Sequence, residues 1–136
     1  MRWWIYKCNS RCQPYQRAFG DWRKFFDAGV VDAWGSSDWI PALSKLIAGD
    51  MIIAYQTDRN ELVGIATVTQ STAQDTYVYL KPVEKIGVKV RPLKLADETI
   101  ATIPSLQPGP IQTIYDITNE DAERLVTAAR AWRRRA

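Results

Sequence analysis

Between residues 50 and 90 the chain is written largely in strand-forming residues, and this stretch constrains everything around it. Residues 50–56 and 62–70 are β-branched runs separated by Thr57-Asp58-Arg59-Asn60-Glu61, a connection of hairpin length. Residues 76–80 and 86–90 predict two further strands, interrupted at Pro82. The aromatic and apolar segment 2–7 predicts a first strand, and residues 111–115 a last one.

The remaining segments predict helices and loops. Phe19, Trp22, Phe25 and Phe26 stand at near-helical spacing within residues 14–27. Residues 28–40 read as a loop, with Gly29, Gly35, Ser36 and Ser37. Pro41 suits the first position of a short helix that Gly49 would close. Residues 93–110, punctuated by Pro104, Pro108 and Pro110, predict mostly loop with room for a short helix.

The C-terminal helix carries the fullest set of signals. Thr118 precedes Asp121 by three residues, as in a capping box, and Glu120, Asp121 and Glu123 fill the first turn. Ala122, Leu125, Val126, Ala129 and Trp132 form its apolar stripe. The order is strand, helical segment, loop, short helix, four or five strands, final helix. It predicts one α+β domain over residues 1–136, built on a strongly curved sheet or small barrel.

Composition narrows the chemistry. The 136 residues are 46% hydrophobic and 24% charged, ordinary values for a globular domain able to bury about two thirds of its unfolded surface. No apolar run is long enough to span a bilayer and Met1-Arg2-Trp3-Trp4-Ile5-Tyr6-Lys7 turns polar too early for a secretory signal, so a cytoplasmic location is expected. The absence of histidine removes the commonest general base and most zinc sites. Cys8 and Cys12 lack a second ligand pair and read as free, partly buried thiols. With no phosphate loop, metal cluster or nuclease signature, we expect no enzyme activity, no cofactor and no metal. Asp21, Asp27 and Asp32 have no supporting motif for acid–base work, and Asp50 reads as a turn residue before a strand.

The net charge is only +3, but its distribution is uneven. Arg2, Lys7, Arg11, Arg17, Arg23 and Lys24 cluster near the start against Asp21 alone, and Arg130, Arg133, Arg134 and Arg135 close the chain. Two such clusters can converge on phosphates. The competing role for the terminal arginines is complementing a helix dipole.

Several segments, in order and over almost the whole chain, resemble the EVE domain. They are Trp4-Ile5-Tyr6-Lys7-Cys8-Asn9, the Ala33-Trp34-Gly35-Ser36 loop, Ala48-Gly49-Asp50-Met51-Ile52-Ile53-Ala54-Tyr55-Gln56, Leu62-Val63-Gly64-Ile65-Ala66-Thr67-Val68, and Ile117-Thr118-Asn119-Glu120-Asp121-Ala122-Glu123-Arg124-Leu125. That family belongs to the PUA-like superfamily with the ASCH and YTH domains. The resemblance implies a distorted mixed β-barrel flanked by helices, and a role in binding modified nucleobases. EVE domains fused to nucleases seek modified cytosine in restriction systems, and YTH domains bind a methylated adenine through an aromatic cage. Where one EVE subgroup carries a longer Trp-Asp-Gly-Val-Arg-Asn-like sequence, this chain has Trp34-Gly35-Ser36, closer to the shorter subgroup of restriction-type fusions.

A pocket for a single base needs aromatic walls, a polar floor and cations at its mouth. Trp34 and Trp39 are the leading walls; Trp34 matches the cage tryptophan of the YTH Trp-x-Ser-Thr motif, and the competing role for both is a hydrophobic plug. Ser36, Ser37, Cys8 and Asn9 are floor candidates, Asn9 otherwise being a turn residue. Tyr55 and Gln56 lie on the strand that lines the cavity in the superfamily, although strand aromatics are more often core. Lys7, Arg11, Arg17 and Lys81 are phosphate candidates. Trp4 and Tyr6 share one strand face and, like Trp132, are expected in the core.

Three functions follow as expectations. The first is a reader of a flipped cytosine, 5-methyl or 5-hydroxymethyl, in DNA, serving as specificity module of a modification-dependent restriction or defence system with a nuclease domain or subunit as partner. The second is an RNA or modified-nucleoside binder. The third is a protein-interaction domain whose base pocket is not in use.

Overall fold

Alternation along the first strand divides the molecule in two. The computed structural model describes residues 1–9, 21–35, 41–70, 77–106 and 113–135. In β1 (Trp3–Cys8), Trp4, Tyr6 and Cys8 enter one hydrophobic core, whereas Ile5 enters a second, with Trp3 packed against it. Both sheet faces are therefore covered, which explains the nearly continuous apolar runs in the central strands.

The sheet contains β1, β2 (Asp32–Gly35), β3 (Met51–Gln56), β4 (Glu61–Gln70), β5 (Tyr77–Lys89) and β6 (Ile114–Ile117), in the order β2-β5-β4-β3-β1-β6. β1 runs parallel to β3 and antiparallel to β6; the other pairings are antiparallel. Register shifts at Ala54/Tyr55 and at three points between β4 and β5 add local twist. The result is a curled, six-stranded half-barrel.

The first core is capped by α1 (Trp22–Ala28), which buries Trp22, Phe25 and Phe26. Its seat explains Gly64: a Cβ there would lie 2.4 Å from the Glu84 carbonyl oxygen and 2.7 Å from the Phe26 ring. The second core lies under α2 (Val90–Ala96), the single turn α3 (Glu98–Ala101) and α4 (Asn119–Arg135). In α4 the Thr118 hydroxyl accepts from the Asp121 N–H at 3.1 Å, while Ala122, Leu125, Val126 and Ala129 are buried and Trp132 packs at the margin. No helix among the described residues is long and apolar enough to cross a membrane.

The structure departs from the sequence reading in four places. Within the predicted 28–40 loop, residues 32–35 form an edge strand, because β5 offers them a pairing partner. The two strands expected around Pro82 are one strand, β5; Pro82 faces Ala66 beside a register shift, where a missing N–H is tolerated. The predicted 93–110 loop contains the end of α2, then α3 and a 3-10 turn over Pro104–Leu106, and α2 takes Pro92 in its first turn, where no helical N–H bond is required. The helix opened by Pro41 is a 3-10 turn, Pro41–Lys45. Residues 14–20, 107–112 and the remainder of the 36–40 segment lie outside the described residues.

A candidate nucleic-acid interface

One face of the sheet gathers an aromatic cluster from three elements. Tyr6 comes from β1, Trp22, Phe25 and Phe26 from α1, and Trp34 from β2. Trp22 and Trp34 stack face to face, with ring centroids 3.5 Å apart and planes 4° from parallel. Tyr6 and Phe25 meet Trp34 edge-on at 5.9 and 5.4 Å. Trp22 and Trp34 are both 0% exposed. Their indole N–H groups have no hydrogen-bond partner among the described residues.

Trp22 is held where it is by its backbone. Its N–H donates to Gln56 Oε1 at 2.8 Å, the Asp21 carboxylate caps the helix through the Arg23 N–H, and Gln56 Nε2 donates to Asp58 Oδ1 at 2.7 Å. Arg23 adds a two-pronged ion pair to the buried Glu61, both contacts at 2.9 Å. The Glu61 hydrogen bond is the main reason the Arg23 guanidinium is held above its ordinary pKa. The indole of Trp34 is set inward by the pairing of β2 with β5, opposite Val78.

The predicted site residues fall on two faces. Trp34 and Cys8 share the first core, and Gln56 reaches that side through Trp22; Gln56 is only 1% exposed, and Cys8 is buried. Asn9 follows β1, half-buried at its end. Tyr55 belongs to the opposite core and donates to Asn60 Oδ1. Lys7 lies with it, its ammonium 5.5 Å from the Tyr55 ring and 4.7 Å from the Tyr115 ring. Burial, and secondarily the Lys94 charge, push the Lys7 ammonium below its ordinary pKa; Lys94 donates to the Leu106 carbonyl. Lys81 is exposed on β5. Trp39, Ser36, Ser37, Arg11 and Arg17 lie outside the described residues.

Two groups escaped the sequence reading. Trp22 stood out only as part of a helical stripe, and that spacing locates a buried face without naming its partner. The terminal arginines have a specific structural role beyond the dipole: Arg130 makes bonds of 2.6–3.1 Å to the Glu84 carboxylate, and Arg133 reaches it at 3.1 Å and the Lys85 carbonyl at 2.7 Å. They tie α4 to β5. Their signal is the unpaired-looking Glu84 in a strand, which only the fold brings to them.

No protein-family model matches the chain, and neither does any curated protein. Solved structures do. Rpa0253 of Rhodopseudomonas palustris is 15% identical, with 95% of this chain and 93% of that one covered and a TM-score of 0.72. A hypothetical protein from Leishmania major is 11% identical, covering 97% and 96%, also at 0.72. Human THYN1, solved in complex with DNA containing 5-methylcytosine, is 11% identical, covering 95% and 98%, again at 0.72. At such identities the likeness concerns the fold: a mixed, curled sheet with flanking helices and a C-terminal helix.

Proposed function

We propose that the protein is a non-enzymatic EVE-type reader of a modified base, and that its ligand is a flipped 5-methyl- or 5-hydroxymethylcytosine in DNA. One observation carries this reading: the fold is shared, over nearly the whole chain, with a protein solved on 5-methylcytosine DNA. The buried aromatic cluster is consistent with it. Taking a base out of a duplex costs a few kcal/mol, and stacking on an aromatic wall returns about 1–3 kcal/mol per base.

In this reading Trp34 supplies the wall, joined by Trp39. Ser36, Ser37, Cys8 and Asn9 read the base edge. Gln56, occupied by Trp22 and Asp58, acts by positioning α1. Lys7, Arg11, Arg17 and Lys81 contact phosphates, with Tyr55 steadying the Lys7 ammonium from the opposite face. The domain serves, in the cytoplasm, as the specificity part of a modification-dependent restriction or defence system, beside a nuclease domain or subunit.

The test is competition binding, by fluorescence polarisation, between matched duplexes bearing cytosine, 5-methylcytosine or 5-hydroxymethylcytosine, with a matched RNA as a fourth arm. Preference for a modified duplex is expected. Equal, salt-sensitive binding to all three duplexes would sink the reading, and preference for the RNA would replace DNA as the substrate.

A further inference from the structure

We infer that Trp22 is a resident substitute for the base: its indole occupies the face of Trp34 on which a flipped base would stack, and binding exchanges one for the other. The inference rests on the reader function proposed above and adds a gate to it. A coplanar contact at 3.5 Å is the geometry a nucleobase adopts on an aromatic wall. Trp34 is fully buried, so no part of its ring is open to solvent. A base can reach it only by displacing a neighbour. Among the described residues Trp22 alone stacks on it in parallel, whereas Tyr6 and Phe25 meet it edge-on at 81° and 82°.

Among the described residues, the closed arrangement offers neither buried indole N–H an acceptor, and a swing of Trp22 would bring its donor to water. The mechanics suit a side-chain swing rather than a helix movement. Trp22 is the first residue of α1, and its backbone stays anchored through Gln56. Arg23–Glu61 and Lys85–Asp27 hold the helix to the sheet, and Phe26 remains in the seat that Gly64 provides.

A gate of this kind lowers apparent affinity by the fraction of molecules in which Trp22 has left. The two stacked tryptophans therefore have opposite effects. Trp22→Leu, which empties the base's place, tightens binding of a 5-methylcytosine duplex by about tenfold, and Trp34→Leu, which removes the wall, weakens it by about tenfold or more. In the wild-type protein, the Trp22 indole N–H signal, assigned by its loss in Trp22→Phe, is expected to shift and begin exchanging with water when the methylated duplex is added. That measurement needs no core variant to bind DNA, so it stands even where Trp22→Leu folds poorly. A modified duplex that binds with the Trp22 signal unmoved, or an affinity lowered alike by both leucine variants, overturns the gate while leaving the reader function in place. Failure of every modified duplex to bind removes the reader function itself, and the gate with it.

Discussion

At Asp50 a single carboxylate ties together the entry to β1 and the entry to β3. It accepts from the Arg2 N–H and the Trp4 indole at 3.0 Å and from the Ile47 N–H at 3.1 Å, at 1% exposure. Asp50→Ala strands three donors at once. We expect urea denaturation to show a loss of about 3 kcal/mol or more; a loss below about 1 kcal/mol would contradict this role. The sequence showed Asp50 as structural, and it showed Trp4 and Tyr6 as core partners on one face. Adjacent strand residues point to opposite faces, so Lys7 diverges from Cys8, and Tyr55 from Gln56. The structure divides them accordingly.

Among the elements, the two best read from sequence were those whose signals are local. The β3–β4 hairpin follows from two β-branched runs and a short connection, and α4 from its cap, its charge gradient and its stripe. β2 was not legible, because Asp32-Ala33-Trp34-Gly35 has little strand character and owes its conformation to β5. The seat of α1 on β4 yields a second prediction. Gly64→Ala drives a methyl into the Glu84 carbonyl, which is backbone and cannot step aside, so stability falls by about 1–3 kcal/mol or more in thermal or urea unfolding.

The clamp between α4 and β5 yields a third, with pH as its variable. Hydrogen bonds from Arg130, and more weakly the Arg133 contacts, hold Glu84 below the ordinary value of 4.5, against the opposing effect of burial. The unfolded chain then binds the proton more readily than the folded one. The stabilisation is fully present above the unfolded value and is lost as pH falls through the lowered folded value. Acidification from about pH 5 to about pH 3 should cost the wild type more than Glu84→Gln, with the difference within about 1 kcal/mol because the arginine partners are half exposed. Equal acid sensitivity in the two proteins would show that the clamp contributes nothing.

Over the whole molecule, Arg130 and Arg133 of α4 are paired with Glu84, so the phosphate contacts proposed above are Lys7, Arg11, Arg17 and Lys81 rather than the helix arginines. Lys7→Gln should therefore weaken modified and unmodified duplexes to the same degree and reduce the salt slope of binding by about one. An α+β domain on a strongly curved sheet or small barrel, with a C-terminal helix, was legible from strand runs, caps and spacing. The stacked tryptophan pair was not, because it joins residues from two elements whose contact depends on β2, the one strand the local sequence conceals. The most direct test of the account is the affinity of the wild-type protein for paired duplexes that differ only in the 5-methyl group of one cytosine, measured at fixed salt. The account predicts a clear preference for the methylated duplex. Identical affinities that fall together as salt rises would contradict it, leaving a basic surface that binds any phosphate backbone.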